Sequence, residues 1–141
     1  MERSPAELSR CIIGAAITVH RALGPGLLES IYESCLIAEL RHQGLFVERQ
    51  VRVPVLYRGQ DVNCDFVIDL IVEGCIVVEI KAISQIAPVH EAQVLTYLKI
   101  TGLKIGLLLN FNVPLLKEGV RRIVNGEGAG LVEHPDEERN F

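Results

Sequence analysis

Asp69, Glu79 and Lys81 are the residues of this chain whose types and spacing suit chemistry. They lie in the run Asp65-Phe66-Val67-Ile68-Asp69-Leu70-Ile71-Val72-Glu73-Gly74-Cys75-Ile76-Val77-Val78-Glu79-Ile80-Lys81, which reads as two apolar strands joined at Glu73-Gly74, with charges where a core belongs. Side chains alternate between the faces of a strand. Asp65, Val67, Asp69 and Ile71 therefore share one side, and Phe66, Ile68, Leu70 and Val72 the other. On the second strand, Val77, Glu79 and Lys81 oppose Ile76, Val78 and Ile80. A three-residue turn, Glu73-Gly74-Cys75 with glycine supplying positive φ, pairs Val72 with Ile76 and sets Asp69 opposite Glu79. A two-residue turn shifts the parity and sends the carboxylates to opposite faces.

Two carboxylates and a lysine on one sheet face suit a hard divalent cation and a hydrolytic water. Asp69 and Glu79 offer oxygen ligands to Mg²⁺, which keeps several waters and takes few protein carboxylates. Lys81 then orients or helps deprotonate the water, or stabilises charge on a phosphate. The plain alternative makes Glu79 and Lys81 the solvated side of an edge strand, with Asp69 an unrelated surface residue. Asp-x(n)-Glu-x-Lys alone is short enough to recur by chance.

The elements around this run must position it. Ser4-Pro5-Ala6-Glu7 is a capping box with proline at the first helical position, and Leu8, Cys11, Ile12, Ala15 and Val19 follow at helical spacing, which predicts a helix over about 5–22. Leu23-Gly24-Pro25-Gly26 breaks it. A second helix is expected from about Leu27 to Gln43, with Ile31, Cys35, Leu36 and Leu40 inward and Gly44 as its stop. Glu29 falls in its first turn, with Tyr32 on the same face. An acid there complements the helix dipole without any further role, or supplies a third carboxylate aimed at the cation.

From Leu45 the period becomes two, with Pro54 marking an edge or a bulge and Tyr57 to Asp61 a turn. This predicts an antiparallel meander ending at Lys81. A helix from Pro88 to Thr101 sets His90, Gln93 and Tyr97 on one face and Val94, Leu95 and Leu98 mostly on the other. Lys104 to Phe111 reads as a central apolar strand, parallel to the Lys81 strand across the helical crossover. Pro114 to Gly119 is a short helical turn, and Val120 to Val124 a last strand.

The 141 residues suffice for one domain with a true core, expected over 1–125, followed by a polar tail over 126–141. Of these residues 49% are apolar, with no tryptophan, so the core should be built from Leu, Ile, Val and Ala. A net charge of −4 argues against coating nucleic acid by bulk electrostatics, while leaving room for a local basic groove. Cys11, Cys35, Cys64 and Cys75 have no CxxC or histidine spacing, which argues against both a zinc site and a disulfide framework and predicts buried, reduced thiols in a cytoplasmic protein. Cys11 to Val19 follows Glu2 and Glu7, unlike a signal-peptide core, and no run is long enough to span a membrane.

Gly26-Leu27-Leu28-Glu29-Ser30-Ile31-Tyr32, then Asp69, then Glu79-Ile80-Lys81, then Gln93-Val94-Leu95-Thr96-Tyr97 together resemble the GxxExxY protein family, a branch of the PD-(D/E)xK nuclease superfamily. The resemblance runs from about Ser9 to Asn125 and includes His90 to Gln93 and Leu107 to Pro114. It implies an α/β, restriction-endonuclease-like core, a mixed sheet flanked by helices. In exonuclease-like members of that superfamily, a glutamate from the first-helix region, the strand aspartate and the Glu-x-Lys glutamate surround Mg²⁺ or Mn²⁺. The lysine assists the water, and the Gln-x-x-x-Tyr helix borders the site. Carried over, the implied catalytic residues are Glu29, Asp69, Glu79, Lys81, Gln93 and Tyr97, with Glu29, Asp69 and Glu79 as metal ligands. Val67 stands where similar sequences often have arginine.

This implies a metal-dependent nuclease acting on DNA ahead of RNA, with Arg49, Arg52, Arg58, Lys99, Lys104, Arg121 and Arg122 as candidate phosphate contacts. The competing reading is a non-catalytic nuclease-fold module that binds a protein or a nucleic acid, since fold does not dictate function. Its support is the acidic net charge. A nuclease that relies on a homodimer or a protein partner to grip its substrate combines the two.

Overall fold

The computed structural model describes residues 3–126 and 131–134. Helix α1 (Pro5–Leu23) starts as its capping sequence dictates, with the Ser4 hydroxyl accepting from the Glu7 amide at 3.2 Å, and stops at Gly24, whose φ of +71° suits glycine. Helix α2 (Glu29–His42) follows. Strands β1 (Val47–Tyr57), β2 (Gln60–Val72) and β3 (Ile76–Lys81) form the meander, and helix α3 (Pro88–Thr101) crosses over to β4 (Ile105–Asn110). A 3₁₀ turn (Leu116–Gly119) leads into β5 (Val120–Val124), and β6 is Leu131–Glu133. All six strands lie in one sheet in chain order, with β3 and β4 parallel and the other neighbours antiparallel.

Helices α1 and α2 cover one face of the sheet. Leu8, Ile12, Ala15, Tyr32, Leu36 and Leu40 pack there against Leu70, Val72, Val78, Ile80, Leu107 and Leu109. Helix α3 covers the other face, where Val94, Tyr97 and Leu98 meet Ile71, Val77, Leu108 and Ile123. The result is the expected α/β class, a mixed sheet between helical layers. Gly106 permits the close approach of α3 to β4, because a Cβ there would stand 2.5 Å from Cγ1 of Val94.

The sheet departs from simple alternation at one place. Ile68 packs with the α3 layer and Leu70 with the α1–α2 layer, although residues two apart on a regular strand share a face. The same exchange occurs across the ladder, where Val47 belongs to the α1–α2 layer and Val51 packs on the α3 layer. Between them stands Gln50, with φ of +50°. A left-handed residue in mid-strand rotates the chain about itself, so the far half of the β1–β2 hairpin turns its apolar side toward α3. Phe66 and Ile68 therefore do not share a layer with Leu70, Val78 and Ile80, as strict alternation predicts.

Smaller differences have local causes. Ile31 is exposed, and the inward stripe of α2 is Tyr32, Glu33, Leu36, Ile37 and Leu40. The four cysteines are free thiols, but none is fully buried as expected: Cys11 and Cys35 are half-buried, and Cys64 and Cys75 are exposed because they occupy the hairpin arm and the β2–β3 turn. Strand β6 falls in the stretch expected to be a polar tail, where Leu131 and Val132 extend the sheet beside β5. The remainder of that stretch, 127–130 and 135–141, lies outside the described residues.

Candidate active site

Strand β3 lies between β2 and β4, so Glu79 and Lys81 are not on an edge, and Glu79 is only 3% exposed. Around the turn, Val72 pairs with Ile76 and Leu70 with Val78, and Gly74 has φ of +62°. Beyond Leu70 and Val78 the ladder opens and side chains replace it. The Asp69 amide donates to Oε1 of Glu79 at 3.0 Å, and the Ile80 amide donates to Oδ2 of Asp69 at 2.9 Å. Each carboxylate thus satisfies an amide that the separated strands leave unpaired. One oxygen of each acid is fixed by this exchange. Of the others, Oε2 of Glu79 lies 3.8 Å from Nζ of Lys81, and Oδ1 of Asp69 lies 3.4 Å from Nε2 of Gln50.

Burial pushes Glu79 up to about 7, the Asp69 charge adding to the effect and the Asp69 amide and Lys81 opposing it. Burial likewise raises Asp69, against the pull of the Ile80 amide. Tyr97 is raised by burial and then by the charge of Glu79, which places it in the field of the pair. Two negative charges held this way are unfavourable near neutrality unless a cation joins them. Hard oxygen donors, with one oxygen of each acid not bound to a main-chain amide, fit Mg²⁺ or Mn²⁺ in their chemistry. Among the described residues, however, no three His, Cys, Asp or Glu side chains converge closely enough to enclose a metal ion. The expected set of Glu29, Asp69 and Glu79 is not closed.

Glu29 is occupied nearby. Its Oε1 accepts from the amide of Ala82, the residue after Lys81, at 3.3 Å, and its charge reaches Glu79. Tyr32 explains why Glu29 stands there. The Tyr32 hydroxyl donates to the Gly24 carbonyl at 2.6 Å and accepts from the Leu27 amide at 3.1 Å, while its ring stacks on Phe111 at 4.6 Å. The loop before α2, and hence its first turn, is pinned to the core.

On α3, Nε2 of Gln93 donates to the Tyr97 hydroxyl at 3.0 Å, and the buried Tyr97 ring meets Phe66 edge-on at 6.2 Å. His90 turns back instead, its Nδ1 accepting from the Ala87 amide at 2.8 Å, so it serves the helix start. Asn110 anchors the segment after Lys81. Its Oδ1 accepts from the Ile83 amide at 3.0 Å and its Nδ2 donates to the Ile83 carbonyl at 2.9 Å.

Two residues beside the pair were not expected from the sequence, Glu33 and Gln50. Nε2 of Gln50 donates to Oε1 of the buried Glu33 at 2.9 Å, and Glu33 contributes to raising Asp69. The available signal was the spacing of Glu29 and Glu33, one helical turn apart on one face. Several candidate phosphate contacts already have partners: Arg49 lies 3.8 Å from Glu33, Arg52 3.8 Å from Asp65, and Arg122 pairs with Glu133. Arg121 donates to the carbonyls of Glu118 and Val120. Arg58, Lys99 and Lys104 are exposed.

A family profile described as the PD-(D/E)XK nuclease superfamily matches residues 6–123. The chain belongs to that superfamily, whose nucleases generally use divalent metals. The mixed sheet flanked by helices is consistent with its restriction-endonuclease-like fold. No curated protein and no solved structure was found to match the chain. Among the described residues, no helix is long and apolar enough to cross a membrane.

Proposed function

We propose that this protein is a divalent-metal-dependent nuclease of the GxxExxY branch, hydrolysing phosphodiester bonds of DNA in preference to RNA. The observation that carries this reading is the Asp69–Glu79 pair, a half-buried and a buried carboxylate joined through each other's strand with Lys81 beside them. Asp69 and Glu79 would hold the cation through the oxygens not taken by main-chain amides. When bound, Mg²⁺ or Mn²⁺ supplies Lewis acidity toward the phosphate and lowers the pKa of water. Lys81 orients the attacking water and offsets charge at phosphorus. Glu29 acts from the end of β3 without closing the shell. Gln93 holds the Tyr97 hydroxyl at the border of the site, where substrate enters. Arg58, Lys99 and Lys104 offer charge for backbone phosphates.

The test is calorimetric titration of Mg²⁺ and Mn²⁺ into wild type and Asp69→Ala, with cleavage of single-stranded, duplex and branched DNA and of RNA followed in parallel. Saturable binding that Asp69→Ala abolishes, together with metal-dependent cleavage, is the expected result. Metal binding without cleavage of any substrate would instead make the protein a nuclease-fold binding module.

A further inference from the structure

Gln50 is built into this site in a way that ordinary strand structure does not require. Its neighbours pair regularly, Arg49 with Leu70 and Val51 with Ile68, while the register passes over Gln50 and Asp69. Gln50 has φ of +50°, a conformation that disfavours a side chain with Cβ. Such backbone persists where the surroundings hold it. Here the holding contacts are the carboxamide's own: Nε2 lies 2.9 Å from Oε1 of Glu33 and 3.4 Å from Oδ1 of Asp69. Both neighbours are carboxylates, so the amide nitrogen with its two hydrogens must face them. Glu33 is itself fixed, buried on α2 and paired with Arg49.

We infer that Gln50 is a positioning residue, whose carboxamide ties Asp69 to Glu33 and so fixes which way Asp69 turns its two oxygens. Oδ2 is directed to the Ile80 amide, and Oδ1, which takes the Gln50 contact, keeps a second lone pair for a cation. The second half of this assignment rests on the metal-dependent reading above; the first does not. The bend that carries β1 and β2 from one helical layer to the other is placed at the same pair, so the strand geometry and the orientation of the acid are set together.

The experiment uses Gln50→Asn and Gln50→Gly, both of which accept the left-handed backbone but cannot span from Glu33 to Asp69. Amide hydrogen exchange in the metal-free protein should be at least about tenfold faster at Ile80 in both variants, with Val78 unchanged. Mn²⁺ affinity, measured by calorimetry, should fall about 10–100-fold, the scale of a lost contact behind a metal ligand. A merely structural role would instead accelerate Val78 and Ile80 together. Unchanged exchange at Ile80 in both variants overturns the positioning of Asp69, and unchanged Mn²⁺ affinity overturns its service to a cation. Wild type that binds no Mn²⁺ overturns the metal-dependent reading, and Ile80 exchange alone then decides the role of Gln50.

Discussion

The main-chain amide of Asp69 donates to Oε1 of Glu79 across 3.0 Å, so a side chain of β3 replaces a ladder bond that β2 has lost. The site is therefore an opening in the sheet, and its acids support the backbone around it. Replacing Glu79 by Gln keeps an oxygen acceptor for that amide and removes the charge. Glu79→Gln should fold with native circular dichroism and fail to bind Mn²⁺, whereas Glu79→Ala should lose both the metal and some stability.

Stability should fall as pH rises from about 4.5 to about 7, the ordinary and folded-state values for Glu79. In that window the folded protein keeps a proton that the unfolded chain releases, so unfolding releases protons and raising pH favours it. The shift corresponds to roughly 3 kcal/mol at most. Asp69 is raised too, by burial, and acts in the same sense. Urea unfolding at pH 5 and pH 8 checks the slope, which should flatten in Glu79→Gln. Millimolar Mg²⁺ should restore stability at pH 8 and do little at pH 5, because it binds the deprotonated pair.

Lys81→Ala should leave Mn²⁺ affinity nearly intact and lower cleavage by roughly two to four orders of magnitude, the scale of a positioned acid–base group. Single-turnover cleavage at saturating metal separates this from a binding defect.

Tyr32→Phe removes the hydroxyl that joins Gly24 to Leu27 while preserving the ring stack on Phe111. A loss of about 1–3 kcal/mol is expected from the unpaired groups. Hydrogen exchange should quicken at the Leu27 amide, and at the Ala82 amide if Glu29 drifts with its helix.

Gly119→Ala should cost about 1–3 kcal/mol, since the added Cβ would lie 2.1 Å from the carbonyl oxygen of Asn110 and backbone must move. Gly106→Ala should cost less, because its clash is with a methyl of Val94. Denaturant midpoints rank the two.

Much of the frame was legible in the chain. The Ser4 cap, the Gly24 stop, the glycine turn at 73–75 and the parallel β4 follow from short-range rules, and the structure has each of them. The pairing of Val72 with Ile76 and Leu70 with Val78 follows from the length of that turn. Glu33 and Gln50 were not legible, because each matters through a partner distant in sequence. Glu33 reads as one more helix acid, and Gln50 as one more polar position in an alternating strand.

The sequence by itself determined the type and order of the elements from α1 to β5 and the glycine turn that joins β2 to β3, because these depend on neighbours along the chain. Only the tertiary structure decided that β3 is interior, and burial beside Asp69 is what moves Glu79 to about 7. It also decided that Gln50 turns left-handed, that the hairpin changes layers there, and that Glu29 meets the Ala82 amide at the end of β3. Desolvation and charge coupling depend on what packs alongside a residue, and the amino-acid pattern of a single strand carries no record of that.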